Sequence, residues 1–326
     1  MIDILVAGGA GYIGSHLVKH LLRDGFRVTV LDDLSHGFAD AVPGAKLIVG
    51  SIGDNHLLGK TMSEQCFSAV INFASFSQVA ESVREPLKYY QNNMSNTLIL
   101  LDAMRRHGIF RYVFSSTAAI FGQPQYLPID ENHPQVPINP YGSSKLMAEK
   151  VLRDLDITLG FKSVCLRYFN AAGSDPEGHL GERHEPETHL IPLILQAASG
   201  RRSHVSVFGD DYDTWDGTCI RDYVHVSDLC DAHIRALQHL LADGESRQYN
   251  VGSGFGFSVK QIIDVARFVT GRVIEVRTES RRPGDPAQLI ADSSRIRAEL
   301  GWQPQRADLT TIIADAWAWE RKHPWN

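Results

Sequence analysis

The sequence predicts an α/β fold, a doubly wound parallel sheet with a smaller α/β C-terminal lobe. Three observations predict it. Short apolar runs alternate with helical patterns through the first half, several of the helical patterns end in glycine or a basic residue, and the rhythm breaks after about Asn170. The runs "IDILVAG", "RVTVLDD", "AKLIVG", "SAVINFA", "RYVFSS" and "KSVCLRYFN" are apolar enough to be buried on both faces, as parallel strands are. Between them, "GSHLVKHLLRDG", "NHLLGKTMSEQ", "PLKYYQNNMSNTLILLDAMRRHG" and "PYGSSKLMAEKVLRDL" carry helical spacing. Strand and helix in this order imply βαβ units.

Beyond Asn170, "AAGSDPEGHLGERHEPETH" is polar and rich in Gly, Pro and charge, so we expect a loop crossing into a second lobe. "VHVSDLCDAHIRALQHLLADG" followed by "QYNVGS" reads as a helix and strand returning to the first sheet. Two further helical patterns lie near 258–270 and 308–322.

Composition narrows the class. The chain has 326 residues, 43% hydrophobic and 21% charged, as in ordinary globular proteins. A net charge of −6 excludes a basic field that draws nucleic acid or acidic membranes. Cys66, Cys165, Cys219 and Cys230 are scattered without a CxxC pair, which favours reduced, buried thiols over disulfides or a zinc site, so no metal is expected. No basic leader and no run of transmembrane length stands out, and a cytoplasmic location is expected.

The first strand runs into "GGAGYIG", which places Gly8, Gly11 and Gly14 at a strand-to-helix turn. Glycine there permits a tight turn and lets a pyrophosphate approach the free N–H groups of a helix N-terminus. Asp32 ends the second strand about 20 residues on, where an acid receives the adenosine ribose hydroxyls. Its charge opposes a 2′-phosphate, and Asp33 follows with no adjacent arginine, so the expected cofactor is NAD. Residues 1–170, with about 223–252, are thus expected to form an NAD-binding Rossmann-type domain, and 171–222 with 253–326 a substrate-binding lobe.

The GxxGxxG turn, "FSSTAAIFG" and "NPYGSSK" occur in the order and spacing of one family, and the chain resembles the extended short-chain dehydrogenase/reductases. The resemblance implies Thr117 as catalytic hydroxyl, Tyr141 as acid/base and Lys145 as tuning cation. Asn139 and Pro140 also suit a helix start, which sets Tyr141 and Lys145 on one face. A free tyrosine titrates near pH ~10, and lowering that by about three units needs roughly 4 kcal/mol. Lys145 and a positively charged nicotinamide are expected to provide it.

Further motifs narrow the resemblance. "ESVREPLKYYQNN", "LRYFNAAG", "DGTCIRDYVHVSDL" and "RRPGDPA" are similar to those of the UDP-glucose (UDP-galactose) 4-epimerases. More narrowly, "HEPETHLIPL" and "RRPGDPA" are similar to the bacterial branch tied to exopolysaccharide synthesis. The resemblance implies a UDP-glucose/UDP-galactose substrate pair, a transient 4-keto sugar and bound NAD as hydride acceptor, with a UDP-N-acetylhexosamine, UDP-pentose or UDP-uronate 4-epimerase, or a non-catalytic NAD-sensing protein, as alternatives. It adds Tyr12, Ile13, Ser51, Ile52, Phe73, Ala74, Ser75, Asn92, Ser115 and Tyr168 to the cofactor side.

On the substrate side the resemblance implies Arg221 and Arg282 on the diphosphate, Asp285 on the uridine ribose and Phe208, beside Val207, on the uracil. Asn170 is expected on phosphate or sugar. His189, beside Leu190, stands where an amide usually meets the diphosphate, and Leu289 where a gating residue usually stands. Ser77 replaces a common lysine, and Ser51 a common aspartate. A 4,6-dehydratase is disfavoured because Ala118 and Ala119 follow Thr117 with no proton to give. Helices near 87–107 and 142–155 resemble the family's dimer-forming pair, which implies a homodimer.

Overall fold

A computed structural model describes residues 1–282 and 284–322. The six predicted apolar runs form β1 (Asp3–Ala7), β2 (Arg27–Asp32), β3 (Lys46–Val49), β4 (Ala69–Asn72), β5 (Arg111–Thr117) and β6 (Lys162–Tyr168). Short β7 (Asn170–Ala172) leads into the loop toward the second lobe, which contributes β8 (Val205–Phe208) and β9 (Ile220–His225). β10 (Arg247–Val251), β11 (Gly256–Ser258), β12 (Val276–Glu279) and β13 (Gln288–Leu289) follow.

The main sheet has seven strands in the order β10-β6-β5-β4-β1-β2-β3. Every pairing in it is parallel. Alternate residues serve opposite faces, as the period-2 pleat requires. Ile4, Val6, Ile71 and Val113 enter a core with Leu17, Leu21, Leu229 and Leu237. Leu5, Ala7, Val70 and Phe114 enter another with Leu58, Leu100, Met104 and Leu152. Helices cover both faces, which explains why the strands read as unbroken apolar runs.

The return predicted from "QYNVGS" is present. β9 feeds the helix Val226–Leu241, and β10 then pairs with β6. The second lobe packs the helices Leu190–Ser199, Val259–Thr270 and Leu309–Lys322 around Ile194, Val205, Ile262 and Ile312. Asp222 fastens the crossing. Its fully buried carboxylate accepts from Ser253 N and Oγ at 2.8 Å, Gly254 N at 3.0 Å and Ala291 N at 3.1 Å. Burial still pushes this carboxyl up to about 6.

Two expectations are corrected. The stretch read as one helix from 86 to 108 contains a π turn at Tyr90–Ser95 between the α segments Pro86–Tyr89 and Asn96–Arg106. Asn93, fully buried, bridges both backbone groups of Phe76 at 2.9 Å, a tertiary demand that helical periodicity does not reveal. Cysteine burial also differs: Cys165, Cys219 and Cys230 are buried free thiols, whereas Cys66 is exposed.

Candidate active site

The carboxyl ends of β1, β2, β4 and β5 lie along one edge of the sheet, and the glycine turn begins there. Gly8 has φ +70°, and a Cβ on it would stand 2.4 Å from Ala74 N and 2.6 Å from the Phe73 carbonyl carbon. A Cβ on Gly14 would reach 2.3 Å from the Gly8 oxygen, so the helix Tyr12–Arg23 packs tightly on the turn. Gly11 differs. A Cβ there meets only the Gly8 oxygen, at 3.6 Å, and no side chain caps the helix above it. The space is open to a ligand, beside N–H groups that favour an anion.

Asp32 is buried at the end of β2. It accepts from Ala10 N at 2.9 Å and Leu34 N at 2.8 Å, and so binds the glycine turn to the loop after β2. Burial raises its pKa above the usual range, with those two N–H groups pulling the other way. A carboxylate has about four acceptor sites, which leaves capacity for ribose hydroxyls. Asp33 is exposed and holds Ser35. Ser51 accepts from Gly53 N at 3.0 Å, and Ile52 is buried beside it. Phe73, Ala74 and Ser75 follow β4, while half-buried Asn92 lies in the π turn beside Asn93. The open cradle at Gly11 and the acid at Asp32 fit a dinucleotide without a 2′-phosphate.

The reacting corner forms where β5 ends and the helix Pro140–Leu159 begins. Asn139 Oδ1 accepts from Gly142 N at 2.8 Å and Pro140 opens the first turn, as the sequence implied. That turn presents half-buried Tyr141 to Thr117, whose hydroxyl lies close enough to act on the phenol. Thr117 Oγ1 also accepts from Ala119 N at 3.1 Å. Burial raises the phenol above its ordinary range, and the Thr117 hydroxyl lowers it in part.

Lys145 lies one turn deeper and is 1% exposed. Its Nζ donates to Ser75 Oγ and to the Ser115 carbonyl, both at 2.7 Å, and lies 4.8 Å from the centre of the Phe114 ring. Burial pushes Lys145 down to about 7, against a smaller upward pull from Glu149. In the protein alone the ammonium therefore loses its proton before the phenol ionises. Lys145 stands where expected, yet its partners are Ser75 and Ser115, and the phenol's neighbour is Thr117. Tyr168, buried at the end of β6, bonds through its hydroxyl to Ser115. Ser77 is exposed.

On the substrate side, Arg221 of β9 stands in register with Leu289 of β13 and reaches Asp285 at 3.9 Å. Leu289 packs with Ala118, Ile120 and Leu146, which joins this side to the Thr117 turn. Arg282 lies 3.8 Å over the Phe208 ring, and Val207 is buried in the same strand. Half-buried Asn170 opens β7, opposite Tyr223 of β9.

His189 caps the helix Leu190–Ser199, with Leu190 its first residue, but its Nδ1 faces Glu182 at 2.8 Å and Glu187 at 2.9 Å. Those carboxylates hold its pKa well above the ordinary value, against burial. The acids, together with His184, were not singled out in the sequence. Their signal is the alternation of Glu and His in "ERHEPETH". Glu149 was also missed, although it lies at i+4 from Lys145. It pairs with buried Arg167 at 2.5 Å.

A glycine-turn dinucleotide cradle beside a Thr, Tyr and Lys on one sheet edge defines a short-chain dehydrogenase/reductase of the extended type. The family model described as GDP-mannose 4,6 dehydratase matches residues 5–315. A UDP-glucose 4-epimerase of Halalkalibacterium halodurans is 50% identical over 98% of this chain and 96% of that protein. The structure of UDP-glucose 4-epimerase from Brucella ovis in complex with NAD has a TM-score of 0.95 at 46% identity, covering 97% of this chain and 98% of that one. That from Bifidobacterium longum, in complex with NAD+ and UDP, has a TM-score of 0.94 at 37% identity, covering 99% of each. The chain belongs to the UDP-glucose 4-epimerase family.

The open face at Gly11 separates cofactor loss from misfolding. Gly11→Leu is expected to keep the far-UV circular dichroism of the native protein while its bound dinucleotide falls at least about tenfold. Replacing an N-cap glycine costs about 1 kcal/mol or less. A folded variant that retains stoichiometric dinucleotide would refute the cradle assignment.

Proposed function

We propose that this protein interconverts UDP-glucose and UDP-galactose by inverting C4 through a transient 4-keto sugar. The observation that carries the reading is Tyr141, set beside Thr117, at the same sheet edge as the Gly8–Gly14 cradle and Asp32. Gly8, Gly11, Gly14 and Asp32 would hold NAD, which when bound supplies a reversible hydride acceptor for C4. Tyr141 takes the proton of the sugar 4-OH and later returns it from the same position. Thr117 hydrogen-bonds the phenol and keeps it in line with that hydroxyl. Lys145 sets the electrostatics beneath them.

Arg221 and Arg282 are suited to grip the diphosphate, since a guanidinium fork matches phosphate oxygens. Phe208 and Asp285 stand beside them for the uridine. With UDP anchored, only the sugar turns, so both of its faces meet one acid/base and one hydride acceptor. Ala118 and Ala119 after Thr117 support epimerisation over dehydration, because elimination needs a further acid there. The "HEPETHLIPL" and "RRPGDPA" motifs support a place in the branch that makes exopolysaccharide precursors.

The reading includes a cytoplasmic homodimer. No described helix is long and apolar enough to cross a membrane. The helical stretch 86–106 and the helix Pro140–Leu159 together expose Leu87, Leu98, Met147 and Ile157 to solvent, an apolar face that a second copy would cover.

Tyr141→Phe is expected to lower the turnover number about 10²–10⁴-fold with UDP affinity retained, as measured by product formation and by calorimetry. A rate like that of the native protein would remove the phenol from the mechanism. Light scattering is expected to give about twice the chain mass of 36.2 kDa, and a mass near 36.2 kDa would exclude the dimer.

A further inference from the structure

The loop between β7 and the helix Leu190–Ser199 brings four ligating side chains to one point. Glu182, His184, Glu187 and His189 present carboxylate oxygens and imidazole nitrogens that all lie within 4.8 Å of one another. His189 Nδ1 is 2.8 Å from Glu182 and 2.9 Å from Glu187, and His184 Nδ1 is 3.3 Å and 3.4 Å from the same two acids. In a tetrahedral zinc site with legs of about 2.0–2.1 Å, ligand atoms stand about 3.3 Å apart. The two His184 separations match that edge, while those of His189 are of hydrogen-bond length and Glu187 meets the two rings through different oxygens.

Two features point to an occupant. His184 Nδ1 is buried and, although close to both carboxylates, lies in hydrogen-bond alignment with neither. Glu182, His184 and Glu187 also line a cavity of about 20 Å³. That is room for one water or one ion. The side chains of Glu182 and Glu187 are 7% and 5% exposed, so both acids are held away from bulk water beside the two imidazoles. Imidazole with carboxylate is a donor set for zinc and its first-row neighbours.

We propose that Glu182, His184, Glu187 and His189 form a structural zinc site. With four protein ligands the site is closed, and its work is to fix the loop, as structural sites do. Its position gives that work a purpose. The His184 ring lies 6.4 Å edge-on from the Tyr12 ring, and the Tyr12 hydroxyl donates to the Gly173 carbonyl at 2.6 Å. His189 starts the helix of the second lobe. One ion would thus clamp the dinucleotide turn to the substrate side. The proposal stands independently of the reaction.

The test uses untagged, NAD-loaded protein, stripped with EDTA and dialysed, then titrated with zinc chloride in a calorimeter. About one zinc per chain with submicromolar affinity is expected, with a rise in Tm on loading. Cobalt in its place should give the visible bands of a tetrahedral ion. The double variant His184→Asn, Glu187→Gln should lose the binding and the Tm rise while its circular dichroism stays native. Retention of one zinc by that variant would overturn the assignment, because the group of buried Asp175 with exposed Glu177 and His179, already paired with Lys19, would then be the binder. Should the double variant fail to fold, the native protein decides alone: no saturable one-to-one binding, or no tetrahedral cobalt spectrum, refutes the site.

Discussion

The reacting corner depends on one buried cation held by uncharged groups. Lys145 takes Ser75 from the loop after β4 and the Ser115 carbonyl from β5, and so joins the helix Pro140–Leu159 to two neighbouring strand ends. Its cost is visible in a pKa near 7, which is also what makes it responsive. Each group favours the charged form of the other. A phenolate at Tyr141 would raise Lys145, and a charged Lys145 would lower Tyr141. Bringing a phenol from about 10 to neutrality needs roughly 4 kcal/mol, and more where burial has raised it. In the proposed mechanism the lysine would share that shift with Thr117 and the charge of the bound cofactor.

The fold keeps this corner rigid by spending polar groups inside it. Arg167 of β6 clamps Glu149, one turn beyond Lys145, and Ser116 of β5 donates to the same carboxylate. Asn93 holds the π turn against Phe76 and reaches Ser144 of the helix Pro140–Leu159 at 3.3 Å. These groups lie within one layer of the sheet edge and restrain strand, helix and loop together. Asp222 does the same on the substrate side, next to Arg221. Breaking any one leaves a buried polar group unmatched, which is costly in a low-dielectric interior.

Features made by neighbours in sequence were legible in advance. The Gly8–Gly14 turn, the Asp32 strand end and the Asn139–Pro140 helix start each follow from a local backbone requirement, and the structure has all three. The strands were legible because burial on both faces leaves only apolar residues. What the sequence hid was long-range. The partners of Lys145 are 70 and 30 residues away, so spacing along the helix implied the phenol as its neighbour and missed Ser75 and the Ser115 carbonyl. The π turn depends on a contact between Asn93 and Phe76, and exposure of Cys66 on where its loop comes to rest. His189 was placed by analogy with an amide, while the two acids that hold its ring become visible only when the loop closes.

All of these contacts serve one claim: the hydrogen on C4 leaves and returns within a single closed complex, never exchanging with water. That is tested most directly with UDP-galactose carrying deuterium at C4 of the sugar, turned over in ordinary water, with the product examined by NMR. UDP-glucose is expected to retain the deuterium at C4. Washout of the label to solvent would contradict it, since it would mean that C4 is inverted by proton exchange and not by a returning hydride.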